Sequence, residues 1–280
     1  MPHIKRAIFA VAMGAASLTG ALFAATSFAQ ATSDDATIRE IEKYRQALGD
    51  GNPAELWEVR GEDLWKKKRG SKDASLEQCD LGKGPGIVKG VYAELPRYFQ
   101  DAGKVMDLEA RIVYCMQTLQ GWDTNPYFNK GAFKANGAGS DMAAIATYVA
   151  AQSNGLRFKV DTTQPQVQQA FKTGEYLFWR RSGPFDFSCA TCHAEDNKRI
   201  RLQGLPNLLK ADGAISAVST WPAYRVSQGI VRTLQHRMWD CYWQMRHPDV
   251  QYTSEVVTAL LTYLGATANG GEIKSPAIKR

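Results

Sequence analysis

After its first thirty residues the 280-residue chain has no apolar run long enough to cross a bilayer, which argues against a membrane span. It also lacks a strong charge of either sign: 34 Lys and Arg face 28 Asp and Glu, a net +6. No nucleic-acid-binding motif accompanies that mild excess, so it points to acidic partners or small anions, and away from DNA or RNA. Strand-type alternation is weak throughout, and helical spacing is frequent, as over Ile38–Leu48, Ala143–Ala151 and Val256–Leu264. Asp141 and Glu255 suit the starts of the latter two helices, and Asn154-Gly155 and Asn269-Gly270 suit their ends. The expectation is a mainly α fold.

The amino terminus reads as a secretory signal peptide over residues 1–29. Lys5 and Arg6 form a positive start, an apolar run extends from Ala7 to Ala25, and Ser27-Phe28-Ala29 offers small residues for cleavage. The run is rich in Ala, Gly and Ser, a poor composition for a permanent anchor. Without Lys5 and Arg6 the chain from Gln30 onward carries a net +4. An exported protein of the periplasm is expected, of a length suited to one large or two small domains.

Five cysteines is an odd number for such a compartment. Two of them stand in Cys189-Ala190-Thr191-Cys192-His193, a C-x-x-C-H motif. A zinc site would need a second ligand pair, and the remaining three cysteines stand apart. A thioredoxin-like redox pair would need a strand–helix pattern, which is missing. The spacing suits a c-type haem: two thiols on one helical turn form thioethers, and the next residue, His193, meets the iron. One covalently bound haem c is expected.

The chain also contains an internal repeat. Gly61-Glu62-Asp63-Leu64-Trp65 resembles Gly174-Glu175-Tyr176-Leu177-Phe178, and a cysteine follows each glycine by 18 positions, Cys79 and Cys192. Leu76 then stands opposite Cys189, and Asp80 opposite His193. Pro96-Arg97-Tyr98 resembles Pro222-Ala223-Tyr224, and a cysteine follows each proline by 19 positions, Cys115 and Cys241. Gly103 and Gly229 match between them, and Arg111 and Arg237 each lie four residues before their cysteine. The stretches Ser140–Gly155 and Ser254–Gly270 also match, with one residue inserted. Two tandem cytochrome c-like domains follow, residues 30–160 and 161–280, the first having lost its haem.

Without haem between them, Cys79 and Cys115 can close into a disulfide, which leaves Cys241 unpaired, 48 residues after His193. His236, His247, Met238, Met245 and Cys241 are all able to bind iron on the distal side. An electron carrier with a methionine on iron is the plain alternative. The repeat favours Cys241, because Met238 and Met245 face Val113 and Leu119 in the first copy while Cys241 faces Cys115. Arg237, one helical turn before Cys241, shares its face and suits an anionic substrate or an ionised sulfur. The Pro206 carbonyl is placed to accept from His193 Nδ1. Trp221, Trp239, Tyr242 and Trp243 supply aromatic mass around the cofactor.

The motif Cys189–His193, together with Arg237-Met238-Trp239-Asp240-Cys241-Tyr242-Trp243 on a duplicated scaffold, resembles the SoxA family, the catalytic cytochromes of SoxAX complexes. Leu76 and Asp80 break the first motif, so the likeness is to the single-haem type. The resemblance implies an L-cysteine S-thiosulfotransferase that joins thiosulfate oxidatively to a cysteine thiol of the carrier protein SoxYZ. It implies His193 and a sulfur-modified Cys241 on iron, Arg237 orienting the anion, and a small cytochrome, SoxX, as partner that receives the electrons.

Overall fold

The computed structural model describes residues 39, 43, 47, 51–123, 139–200 and 203–279. Arg39, Lys43 and Ala47 are helical and exposed; the rest of the expected Ile38–Leu48 helix, and the expected signal segment 1–29, lie outside the described residues. Among the described residues no helix is long and apolar enough to cross a membrane.

Two pairs of crossed helices frame the body that begins at Gly51. Helix α1 (Glu55–Lys66) opens with Glu55 and Glu58 and closes with Lys66, charges that suit the helix dipole. Helix α2 (Leu108–Thr118) is capped by Asp107, whose side chain accepts from the Ala110 N–H. Helix α3 (Asp141–Ala151) is capped in the same way by Ser140. Helices α1 and α3 cross at Gly61, where an added Cβ would overlap the Ala144 carbonyl oxygen. The second pair is α4 (Pro165–Trp179), with its proline in the first turn, and a last helix capped by Ser254, Glu255–Thr267. It crosses at Gly174, where a Cβ would overlap the Ala259 carbonyl oxygen. Tyr148 in one pair and Tyr263 in the other approach the glycine identically. The sequence repeat is thus a repeat of backbone approach: only glycine lets the helices come this close.

Hairpins precede the helices that carry Cys115 and Cys241. Strand β1 (Arg97–Phe99) pairs antiparallel with β2 (Lys104–Met106). In the second half α5 (Cys189–His193) leads to a small hairpin, β3 (Arg199–Ile200) and β4 (Gln203–Gly204), and to α6 (Ala211–Val218). Strand β5 (Ala223–Arg225) then pairs antiparallel with β6 (Ile230–Arg232), in the register of β1 and β2. Helix α7 (Leu234–Gln244) follows, capped by Thr233, and then α8 (Glu255–Thr267). Strand β7 (Ala277–Lys279) joins β5 in parallel and has no equivalent among the described residues of the first half. From Cys79 to Pro96 is 17 residues, and from Cys192 to Pro222 is 30. The extra residues build β3, β4 and α6, and they carry Pro206.

There are two main cores. One gathers Trp65, Leu76, Met106, Ile112, Met116, Met142 and Ile145 around Cys79 and Cys115. These two cysteines form the disulfide expected from the repeat, with Cα atoms 5.6 Å apart. Leu76 is fully buried where the other half has Cys189. Arg111 is 3% exposed, donates to the Asp80 carbonyl oxygen at 2.7 Å, and lies 4.1 Å from the Phe99 ring centroid. The Asp80 side chain accepts from the Gly82 and Gly84 N–H groups, so it closes a loop where the other half needs a ligand. The second core contains Phe178, Leu208, Val218, Met238, Leu260, Tyr263 and Ile273, with Cys189 and Tyr242 at its margin. Its neighbours also include Phe158, from the segment that joins the halves. That segment pairs with the carboxy-terminal stretch: Phe158 N donates to Gly271 O, Ile273 N to Leu156 O, and Asn154 bonds both N and O of Ser275.

Candidate haem and sulfur site

Helix α5 is only five residues long, and a capping box holds it. Ser188 accepts from the Thr191 N–H, and Thr191 Oγ1 accepts from the Ser188 N–H. One turn therefore places Cys189 and Cys192 on a common face, three residues apart. Neither is in a disulfide, nor is Cys241. His193 Nδ1 lies 2.9 Å from the Pro206 carbonyl oxygen, as the sequence suggested. A carbonyl only accepts, so Nδ1 carries the proton and Nε2 keeps its lone pair for a metal. The Leu208 N–H donates to the His193 carbonyl oxygen and fixes the same turn from the backbone side.

Helix α7 brings Arg237 and Cys241 to this turn. Cys241 lies close enough to feel the charge of Cys192, and Cys189 feels that of Cys241. Burial pushes the Cys189 thiol up to about 12, with Cys241 adding to the shift. Burial also raises the Cys241 thiol; Arg237 and Arg225 oppose the rise, and Asp240 and Cys192 add to it. The sequence suggested that Arg237 would keep this sulfur ionised. In the fold burial outweighs the guanidinium, because Arg237 Nη1 already holds Asp240 Oδ2 at 2.9 Å. Binding to a metal ion is what would remove this thiol's proton. Burial lowers the His193 pKa, and Arg237 lowers it further against the Pro206 bond. Arg237 therefore acts on both His193 and Cys241.

The other expected ligands are occupied elsewhere. His236 Nδ1 lies 2.7 Å from the Tyr252 hydroxyl, its ring stacks on Tyr252, and burial pulls its pKa down to about 4. His247 Nδ1 pairs with Ser182 Oγ at 2.5 Å. Met238 is packed in the second core, and Met245 caps the end of α7. Trp221 is buried and Tyr242 lies beside Cys189, but Trp243 is 56% exposed and carries Arg246 over its ring. The residues at the motif fit a covalently held haem: two unpaired thiols on one turn, an imidazole with a free Nε2, a third unpaired thiol nearby, and apolar packing from Ala190, Leu208 and Phe178.

Sequence reading missed Arg225. On β5 it feels the charges of Arg237, Asp240 and Cys241, and its Nε is buried with no hydrogen-bond partner. Phe99 holds the matching position in the first half, so a charge-for-aromatic difference between the copies was the available signal. Arg225, Arg232 and Arg237 all feel the one carboxylate of Asp240, so positive charge is in excess here.

The fold and this site define a c-type cytochrome. The model of the SoxA/TsdA cytochrome c domain matches residues 60–158, the half without the haem motif. The L-cysteine S-thiosulfotransferase subunit SoxA of Hydrogenophilus thermoluteolus is 44% identical over 99% of this chain and 100% of that one. The protein of the same name from Hydrogenobacter thermophilus is 32% identical over 94% and 96%. The fold is similar to a crystal structure of SoxXA from P. pantotrophus, with a TM-score of 0.69 at 24% identity, covering 85% of this chain and 84% of that one. The chain belongs to the SoxA family.

Proposed function

We propose that the protein is an L-cysteine S-thiosulfotransferase, which joins thiosulfate to a cysteine thiol of the SoxYZ carrier. The names of its relatives support the activity, and one observation carries it to the residues: Arg237 acts on both His193 and Cys241, beside Cys189 and Cys192. One haem c would be held by the thiols of Cys189 and Cys192 and by His193 and Cys241. When bound, it supplies the electron acceptor. The overall change is the formation of an S–S bond between the carrier thiolate and the terminal sulfur of thiosulfate. Two electrons leave, and the thiol proton goes to solvent.

The chain's own residues set this up. Arg237, with Arg225 behind it, attracts the dianion and orients its sulfonate oxygens. Asp240 holds Arg237 in place. Burial of the Cys241 sulfur excludes water from the sulfur chemistry it carries. The Pro206 carbonyl fixes the His193 ring from behind. SoxX binds as a small cytochrome subunit and takes the electrons onward, and the protein works in the periplasm after removal of residues 1–29. Residues 30–160 form the haem-free cytochrome c-like unit, and 161–280 the haem-bearing one.

Intact mass of the mature protein, with and without reductant, together with its visible spectrum, tests this. The expected result is chain plus one haem, a further sulfur atom that reductant removes, and no weak red band of methionine-ligated ferric haem. One haem with that band and no removable sulfur would mean a plain electron carrier. Two haems would overturn the assignment of the first unit.

A further inference from the structure

The two helices that carry Cys115 and Cys241 meet at their amino-terminal ends, buried between the halves. Asp107, the cap of α2, accepts from Gln235 Nε2 at 2.7 Å. Gln235 is the second residue after Thr233, the cap of α7. Thr233 in turn faces the carboxyl of Glu109, the second residue after Asp107. The contact is reciprocal: each cap addresses the same position on the other helix, as across a two-fold axis. All four side chains are buried, with Gln235 fully so.

The cross differs from the other contacts between the halves in where it leads. Gln235 also accepts from the Thr253 N–H through Oε1, at 2.8 Å, so both ends of its amide are held. Asp107 receives two further bonds, from the Ala110 N–H at 3.1 Å and from Thr258 Oγ1 at 2.8 Å. Helix α7 is therefore clamped to the haem-free half by a side chain that has no rotational freedom left. At about 100° per residue, Arg237 and Cys241 lie within about 40° of each other, and both lie about 120–160° away from Gln235. The clamp thus holds the face of the helix opposite to the one that carries the sulfur and the guanidinium. A small rotation about the axis that frees Gln235 would swing both groups out of register with His193.

We infer that Asp107 is a positioning residue: through Gln235 the haem-free half sets the rotational phase of α7 and with it the placement of Arg237 and Cys241. The inference rests on the proposed chemistry of those two residues. It also assigns the first half a use after the loss of its cofactor. Asp107 touches neither substrate nor iron and acts only through Gln235.

The test uses the haem-loaded protein in complex with its small cytochrome. Asp107→Asn and Gln235→Leu are compared with Thr147→Val, a fully buried change in the first half whose hydroxyl bonds only within its own helix. Electron paramagnetic resonance of the ferric haem reports ligand geometry, and steady-state kinetics separate kcat from KM. Asp107→Asn and Gln235→Leu are each expected to change the ferric signal and to lower kcat roughly ten- to a hundredfold, the size expected for a displacement of about 1 Å. The double variant should be no worse than either single one, since both break one link. Thr147→Val should lower the melting temperature and leave the signal and kcat alone. If Asp107→Asn and Gln235→Leu behave like Thr147→Val, the inference is overturned. Should Asp107→Asn not fold, Gln235→Leu decides alone. Cys241→Ala checks the underlying reading separately: full activity there would sink the proposed chemistry and not the clamp.

Discussion

His193 Nδ1 sits 2.9 Å from the carbonyl oxygen of Pro206, thirteen residues away in the longer loop of the second half. The bond selects one tautomer and leaves Nε2 as the only imidazole donor. Replacing His193 by Ala should leave both thioethers in place, because Cys189 and Cys192 do not need it. Mass spectrometry of the variant should still show covalent haem, while the visible spectrum changes from low-spin to high-spin. A low-spin spectrum in His193→Ala would show that another residue is the proximal ligand.

In the proposed reaction Arg237 and Arg225 share the binding of the anion. Arg237 acts on Cys241 more strongly than Arg225 does, and the Arg225 Nε is buried without a hydrogen-bond partner. Arg237→Leu is expected to lower kcat/KM for thiosulfate by about two orders of magnitude, the scale of a lost charge-assisted contact in a shielded site. Arg225→Leu should raise KM more than it lowers kcat. Equal and small effects from both changes would remove these arginines from substrate binding.

The disulfide stabilises the half that has no C-x-x-C-H motif. Cys79 and Cys115 are 36 residues apart, and opening that loop should cost about 3–4 kcal/mol in the chain-entropy account. A Cys79→Ser/Cys115→Ser protein should unfold at lower denaturant with an unchanged haem spectrum. A spectrum that changes as much as the stability would place this bond in the haem environment.

Gly61 and Gly174 are the points where paired helices touch backbone to backbone. An alanine at either would drive a methyl group into a carbonyl oxygen that cannot retreat. Gly174→Ala is expected to destabilise the protein by about 2–3 kcal/mol. It should also lower haem retention during maturation, since α4 packs on α5 in the second core. Gly61→Ala should carry a similar stability cost and leave haem content unchanged. Wild-type melting of Gly174→Ala would mean that α4 and α8 can separate freely.

Glu109 is buried in a cavity of about 30 Å³, with Oε1 unbonded. Burial, and next the Asp107 charge, push its pKa up to about 8 from an ordinary 4.5. The folded state therefore holds this proton more tightly than the unfolded chain does. Stability from this group is complete below about 4.5 and is lost as pH rises through about 8. The slope is on the order of 1 kcal/mol per pH unit in that window. Unfolding midpoints measured from pH 5 to 9 should fall for the wild type and stay flatter for Glu109→Gln. Parallel curves for the two proteins would contradict a proton on Glu109.

Much of this protein was legible in one dimension. The C-x-x-C-H run states its chemistry locally, because thioether spacing and the adjacent ligand are properties of a single helical turn. The disulfide could be read from the repeat, since Cys79 and Cys115 match two residues, Cys192 and Cys241, that are expected to flank a cofactor in the other copy. Cys241 and Arg237 followed from the same comparison, and their spacing puts them on one face of any helix. What the linear chain could not show were relations across elements. Only the fold pairs Arg237 with Asp240 and desolvates the half-buried Cys241 enough that its thiol is raised in spite of two arginines. Arg225 comes near that sulfur through the pairing of β5 with β6, which no local period encodes. Asp107 and Gln235 are 128 residues apart and meet only because two duplicated helices cross at their caps. Short-range bonding geometry is written in spacing; burial, charge balance and the phase of a helix against its neighbour exist only once the chain has packed.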